Sequence, residues 1–270
     1  HLGVRRQRQM CIRDREYWVI EFDIDGFRCD VAGMVPTDFW ETTINKLRSI
    51  KPVFMLAEWE DPELLNNGFQ ADYNWQLYHT LKDVSKGNKE VANIRNVYEN
   101  PEKKYPENAL KMNFLDNHDE NSWNRIMVQH FKEKVYPLST MLFTLPGIPM
   151  IYSGQEARLN KKLKFFEKDT IDWGTFSDEN FYEKLISLRK MHPVFWSNNT
   201  NLEFLNGYTK GVIGYKRWDD ENTYHIILNL TSERERLKKK ISHEILIRDK
   251  KSSEQFISPN GFVVYKILNE

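Results

Sequence analysis

Cysteine is scarce: two residues, Cys11 and Cys29, in a chain of 270. Two thiols cannot build a disulfide framework, and neither sits in the spacing of a metal site. Net charge is lacking as well. Lysine plus arginine and aspartate plus glutamate each total 39, so no global field draws nucleic acid or an anionic membrane. Long apolar runs are missing; stretches such as 52–57 and 141–145 fall far short of the ~20 residues that span a bilayer. Histidine is limited to seven residues, with no His-x-His or His-Glu-x-x-His spacing, which weighs against a zinc-dependent barrel hydrolase. Internal repeats and low-complexity tracts are also absent.

What is present is a 40% hydrophobic, aromatic-rich chain, enough for one substantial core and a smaller second domain. Residues 1–15 stand apart, with five arginines, no aromatic residue and no periodic apolar face. A basic arm for nucleic acid is one reading. The segment more closely resembles translated sequencing-adapter sequence, so it is set outside the fold. On that reading the true N-terminus lies upstream, and the lack of a leader says nothing about secretion.

From residue 16 to about 156, short apolar runs alternate with amphipathic stretches, the pattern of parallel βα units. Strands are expected at 26–31, 52–57, 68–75, 112–115 and 149–152. Helices are expected with Trp40, Ile44 and Leu47 on one face, then Leu77, Leu81 and Val84, then over 136–145. A charged, irregular connection covers 157–180, followed by a helix with Phe181, Leu185 and Leu188 inward. Beyond about 193 the period changes to two. Tyr224, Ile226, Leu228 and Leu230 alternate with a polar face that Ile227 interrupts, predicting an antiparallel β domain over 193–270.

Three apolar runs lead into acids: Gly26-Phe27-Arg28-Cys29-Asp30, the run ending Ala57-Glu58, and Phe114-Leu115-Asp116-Asn117-His118-Asp119. In an α/β barrel, strand C-termini converge on one mouth, so acids placed there share a pocket. Acids after strands are also common helix caps. Three together, one with Arg28 and one with Asn117-His118, favour the shared pocket. Strand alternation puts Arg28 and Asp30 on one face, where the guanidinium would keep Asp30 ionised as a nucleophile. Glu58, after an apolar run and before Trp59, would be desolvated and kept protonated as a general acid. Two carboxyl groups with separated pKa values are the chemistry of a retaining glycosidase.

These three segments, with Gly147-Ile148-Pro149-Met150-Ile151-Tyr152-Ser153-Gly154-Gln155-Glu156, resemble sequence regions of the α-amylase family, glycoside hydrolase family 13, in the family's order. The resemblance implies the C-terminal part of a (β/α)8 TIM barrel, about strands four to eight, over 16–192, followed by an all-β sandwich domain. It implies Asp30 as nucleophile, Glu58 as acid/base and Asp119 as third carboxylate, with Arg28 orienting Asp30. His118 and Trp59 would contact the sugar; Tyr73, Trp75 and Trp123 are open between stacking and core roles. Asp116 rivals Asp119 on composition; the Asn-His-Asp match selects Asp119. Cys29 is expected to face away from the pocket.

The implied substrate is a starch- or maltodextrin-type α-glucan. An α-glucosidase, a transglycosylase and a non-catalytic glucan-binding relative share the motifs. The cofactor is left open: calcium is possible in the full-length protein, but no metal site is identifiable here, since the upstream region that supplies much of the calcium site in many members is not in this sequence. Gly33 stands where many members carry Lys-His. The expectation is therefore a C-terminal fragment with little activity alone, from an extracytoplasmic protein.

Overall fold

A computed structural model describes residues 2–174, 178–197, 199–238 and 240–268, with side chains from residue 6 onward. The first part of the chain runs α1 (Leu2–Phe22), β1 (Gly26–Cys29), α2 (Thr37–Arg48), β2 (Phe54–Ala57), α3 (Pro62–Asn66) and β3 (Ala71–Tyr73). Next come α4 (Trp75–Lys86), α5 (Ala92–Glu99), β4 (Leu110–Asn113), α6 (His118–Trp123), α7 (Met127–Phe131), α8 (Val135–Thr144), β5 (Ile148–Pro149) and α9 (Glu179–Met191). After α9 the described residues form strands β6 (Asn201–Leu205), β7 (Val212–Trp218), β8 (Thr223–Asn229), β9 (Glu235–Arg236), β10 (Glu244–Arg248), β11 (Phe256–Ile257) and β12 (Phe262–Lys266). The chain divides into two compact units, residues 1–75 with 101–112, and residues 76–100 with 113–270.

In the first unit, β1, β2, β3 and β4 pair in parallel, each with the next. The register sets Cys29 beside Ala57, Ala57 beside Asp72 and Asp72 beside Lys111, so these side chains share one face and Arg28 belongs to the other. Helix α2 covers the Cys29 face. Its Phe39, Trp40, Thr43, Ile44 and Leu47 are buried at helical spacing, beneath Met55 and Ala57. Asp38 lies in the first turn of α2, makes no capping bond and pairs with Arg8 at 3.0 Å.

Sequence reading sets residues 1–15 outside the fold; in the structure α1 runs through residues 2–15. Ile12 and Val19, seven apart and so on one helical face, are buried in the first unit's core, and the Arg15 guanidinium lies 5.4 Å from the Trp40 ring centre. Two apolar positions two turns apart are too sparse to register as a periodic face.

Element boundaries differ too. The strand expected at 68–75 shortens to β3 because Gly68 turns with φ of 110° and Trp75 opens α4. The strand expected at 112–115 moves back to β4, leaving Phe114 and Leu115 as buried loop residues. The last one, expected at 149–152, is β5 in the second unit, with Met150 N–H donating to the Asn113 carbonyl at 2.8 Å.

The second unit carries the antiparallel sheet, in the order β10-β12-β8-β7-β6, with β9 and β11 paired separately. Strand β8 explains Ile227. Ile226 and Leu228 face one side, while Ile227 packs with Val212, Ile257 and Val263 on the other, so the central strand is buried on both faces. Arg217 on β7 is almost wholly buried. It donates to the carbonyls of Thr144, Val194 and Asn201 at 2.8, 2.8 and 3.0 Å, and to Thr200 Oγ1 at 2.5 Å. Its fork thereby joins β7 to the end of α8 and to the turn after α9.

Candidate active site

Within the first unit, the ends of β1 and β2 bring Arg28, Asp30 and Glu58 together. Glu58 N–H donates to the Cys29 carbonyl at 2.9 Å, which extends the β1–β2 ladder one residue past the end of β2. Val31 follows Asp30 in the left-handed region, φ 44° and ψ 44°, and the chain enters a 3-10 turn over Ala32–Met34. That sharp departure aims the Val31 N–H at Glu58 Oε2, 2.9 Å away. Arg28 Nη1 donates to Asp30 Oδ1 at 2.7 Å, and Nη2 pairs with Glu58 Oε1.

The two carboxylates sit in unlike surroundings. The Asp30 side chain is 74% exposed and that of Glu58 12%. Burial raises the Glu58 pKa above the ordinary carboxylate range, against the lowering pull of the Val31 N–H and Arg28; nearby Asp30 adds to the rise. The arrangement holds one carboxyl inclined to keep its proton beside one open to solvent and fixed by a guanidinium. It is suited to proton donation by the first and attack by the second.

Tyr73 and Trp59 frame this cluster. Tyr73, open as a sugar-stacking residue on sequence grounds, has a buried ring stacked on Trp75 at 5.8 Å, and its hydroxyl accepts from Arg28 Nε at 3.3 Å. It braces the arginine, a role that only a contact across 45 positions reveals. Trp59 is 38% exposed and lies over Gly33, where a Cβ would come within 2.2 Å of its indole nitrogen. Cys29 points into the core, and burial pushes its thiol up to about 11.

His118 and Asp119 fall in the second unit. Asp119 does not end a strand. β4 stops at Asn113, and Asn117 caps α6 by accepting from Glu120 N–H at 2.8 Å, so His118 and Asp119 are the first residues of that helix. His118 Nε2 is 3.6 Å from Asp119 Oδ2, both partly exposed. Asp116 is buried. It accepts from Asn117 N–H at 3.0 Å and Asn121 Nδ2 at 3.3 Å, and burial lifts its pKa to about 7. Within either unit by itself, no group of three His, Cys, Asp or Glu ligands converges among the described residues. No described helix is long and apolar enough to cross a membrane.

The sequence profile described as "Alpha amylase, catalytic domain" matches residues 5–251. Among curated proteins, alpha-amylase MalA of Haloarcula japonica is 28% identical over 220 residues, 78% of this chain and 32% of that protein. The maltogenic alpha-amylase of Bacillus acidopullulyticus is 30% identical over 230 residues, 79% of this chain and 38% of that protein. The chain thus spans 32% and 38% of these two relatives' lengths. Among solved structures, the noncanonic maltogenic alpha-amylase AmyB of Thermotoga neapolitana superposes with a TM-score of 0.78 at 26% identity, covering 97% of this chain and 64% of that one. An alpha-amylase from Lactobacillus plantarum gives 0.79 at 22% identity, covering 99% and 68%, a likeness of fold.

Proposed function

Because this chain belongs to the alpha-amylase catalytic-domain family, we propose that it supplies the C-terminal part of a (β/α)8 barrel, about strands four to eight, and cleaves α-glucosidic bonds with retention of configuration. The observation that carries the reading is Arg28 bridging a half-buried Glu58 and an open Asp30. Asp30 attacks the anomeric carbon while Glu58 gives its proton to the departing glycosidic oxygen, leaving a glycosyl ester on Asp30. Glu58, now ionised, takes a proton from water, whose oxygen attacks the same carbon and frees Asp30. Asp119 is assigned as the third carboxylate, engaging sugar hydroxyls as charge develops, with His118 beside it. Trp59 offers its exposed face to the sugar on the leaving-group side.

The substrate we assign is a starch- or maltodextrin-type α-glucan; maltogenic amylases among the relatives support that class. Reducing-sugar release from soluble starch, by this chain and by the full-length product of its gene, tests the reading with Glu58→Gln as control. Release abolished by the substitution is the expected result, and the product profile separates hydrolase from α-glucosidase and transglycosylase. A folded protein that binds maltodextrin without cleaving it would replace the reading with that of a non-catalytic relative.

A further inference from the structure

Three exposed aromatic rings gather at one place on the surface of the second unit. Phe166 is 85% exposed, Trp123 57% and Phe165 40%. They form one group. Phe165 and Phe166 ring centres are 4.8 Å apart, Trp123 lies 5.1 Å from Phe165 and 6.0 Å from Phe166, and the His118 ring stacks on Phe165 at 5.9 Å and 22°. The group therefore begins at a residue assigned to the sugar and runs outward over the end of α6.

The loop that carries these phenylalanines is built to hold them. Buried Asn121 of α6 accepts from Leu163 N–H at 2.8 Å. Lys162 Nζ reaches the Trp123 carbonyl at 3.4 Å. Asp169 gathers Lys161 Nζ at 2.7 Å, Lys164 N–H at 3.0 Å and Thr170 N–H at 2.8 Å, closing the loop on itself. Fixing exposed rings this way gives up conformational entropy and leaves apolar area in water, a cost that a ligand face can recover.

We propose that Trp123, Phe165 and Phe166 form an aromatic platform that binds the α-glucan chain beyond the sugar held at His118 and favours longer substrates. A glucopyranose has apolar C–H faces and a hydroxyl rim, which suit exposed rings bordered by Lys161, Lys162, Lys164 and Glu167. A second copy of the chain fits less well. Three partly exposed rings offer a few hundred Å², against about 800 Å² per partner in a stable interface. The inference rests on the glycosidase reading for the class of ligand.

Isothermal titration of the intact chain with maltotriose and with maltoheptaose tests it, carried out in the Glu58→Gln background so that binding is read without turnover. In the Trp123→Ala/Phe166→Ala double variant the maltoheptaose Kd should rise about tenfold, ~1.4 kcal/mol, while that of maltotriose stays unchanged. Phe166→Trp should preserve maltoheptaose affinity. Equal weakening of both sugars, or no change in either, overturns the platform and leaves the glycosidase reading standing. So does a double variant that loses self-association in sedimentation velocity with its maltoheptaose affinity intact. Failure of the chain with its platform intact to bind either sugar would count against the glucan reading and would take the platform with it.

Discussion

The Arg28 guanidinium spans two carboxylates of unequal exposure, with Nη1 2.7 Å from the open Asp30 and Nη2 paired with the half-buried Glu58. It stabilises the ionised form of both, yet burial still leaves the Glu58 pKa raised. A general acid works while protonated, so activity should fall as pH rises through that pKa. Removing the cation raises it further. Arg28→Gln should therefore lower kcat/KM about 100-fold, ~2.7 kcal/mol, and move the surviving alkaline limb to higher pH. A pH–rate profile checks both, and an unmoved limb would detach Arg28 from Glu58.

Gly33 and Trp59 give a packing test. A Cβ at Gly33 would sit 2.2 Å from the indole nitrogen, so Gly33→Ala must displace Trp59. The expected loss is about 1–3 kcal/mol of stability. In a Trp59→Ala background most of it should vanish. Urea denaturation of the four proteins of this cycle measures the coupling.

Asp72 and Lys111 lie side by side on β3 and β4, with Nζ 2.7 Å from the fully buried Asp72 Oδ1, 3.1 Å from Glu60 Oε1 and 3.9 Å from the Tyr105 ring centre. Lys111→Met leaves a buried carboxylate without its cation and should cost about 3–5 kcal/mol in chemical denaturation.

The same pair carries a pH signature. Burial raises the Asp72 pKa from 3.8 to about 6, partly offset by Lys111. Over that window the native state binds more protons at this site than the unfolded chain, so Asp72 lowers stability as pH rises. The stability of Asp72→Asn minus that of the parent should increase from about pH 4 to about pH 6 and then level off. A flat difference across that range would show Asp72 ionised throughout.

Arg217 binds three carbonyls and a hydroxyl from one buried guanidinium. Arg217→Met strips all four acceptors and should cost about 3 kcal/mol or more. Arg217→Lys should recover only part, because an ammonium cannot fork to four directions. Thermal unfolding distinguishes the two.

Much of this organisation was legible in the chain. The helical spacing of Trp40, Ile44 and Leu47, the apolar run before Glu58 and the alternation around Tyr224 are local patterns, each set by one element's period against one core. The i, i+2 spacing of Arg28 and Asp30 likewise pointed to their ion pair, although Asp30 lies one residue past the end of β1. Where the reading slipped, the cause lay beyond local pattern. α1 packs through Ile12 and Val19, with Arg15 over Trp40 and Arg8 paired to Asp38, contacts that leave no periodic trace, and Asp119 reads as a strand end until Asn117 is seen to cap a helix there.

By itself the sequence determined which residue types stand at the strand ends, the family they resemble and the change from helical to alternating period near residue 193. Tertiary structure alone decided that Tyr73 braces Arg28, that Trp59 rests on Gly33, that Asp116 is buried while Asp119 is partly exposed, and that Phe165 and Phe166 stand out beside His118. Periodicity is a property of one element and its nearest core. Burial, hydrogen-bond partners and pKa depend on atoms brought close from distant parts of the chain, and no spacing along one segment encodes them.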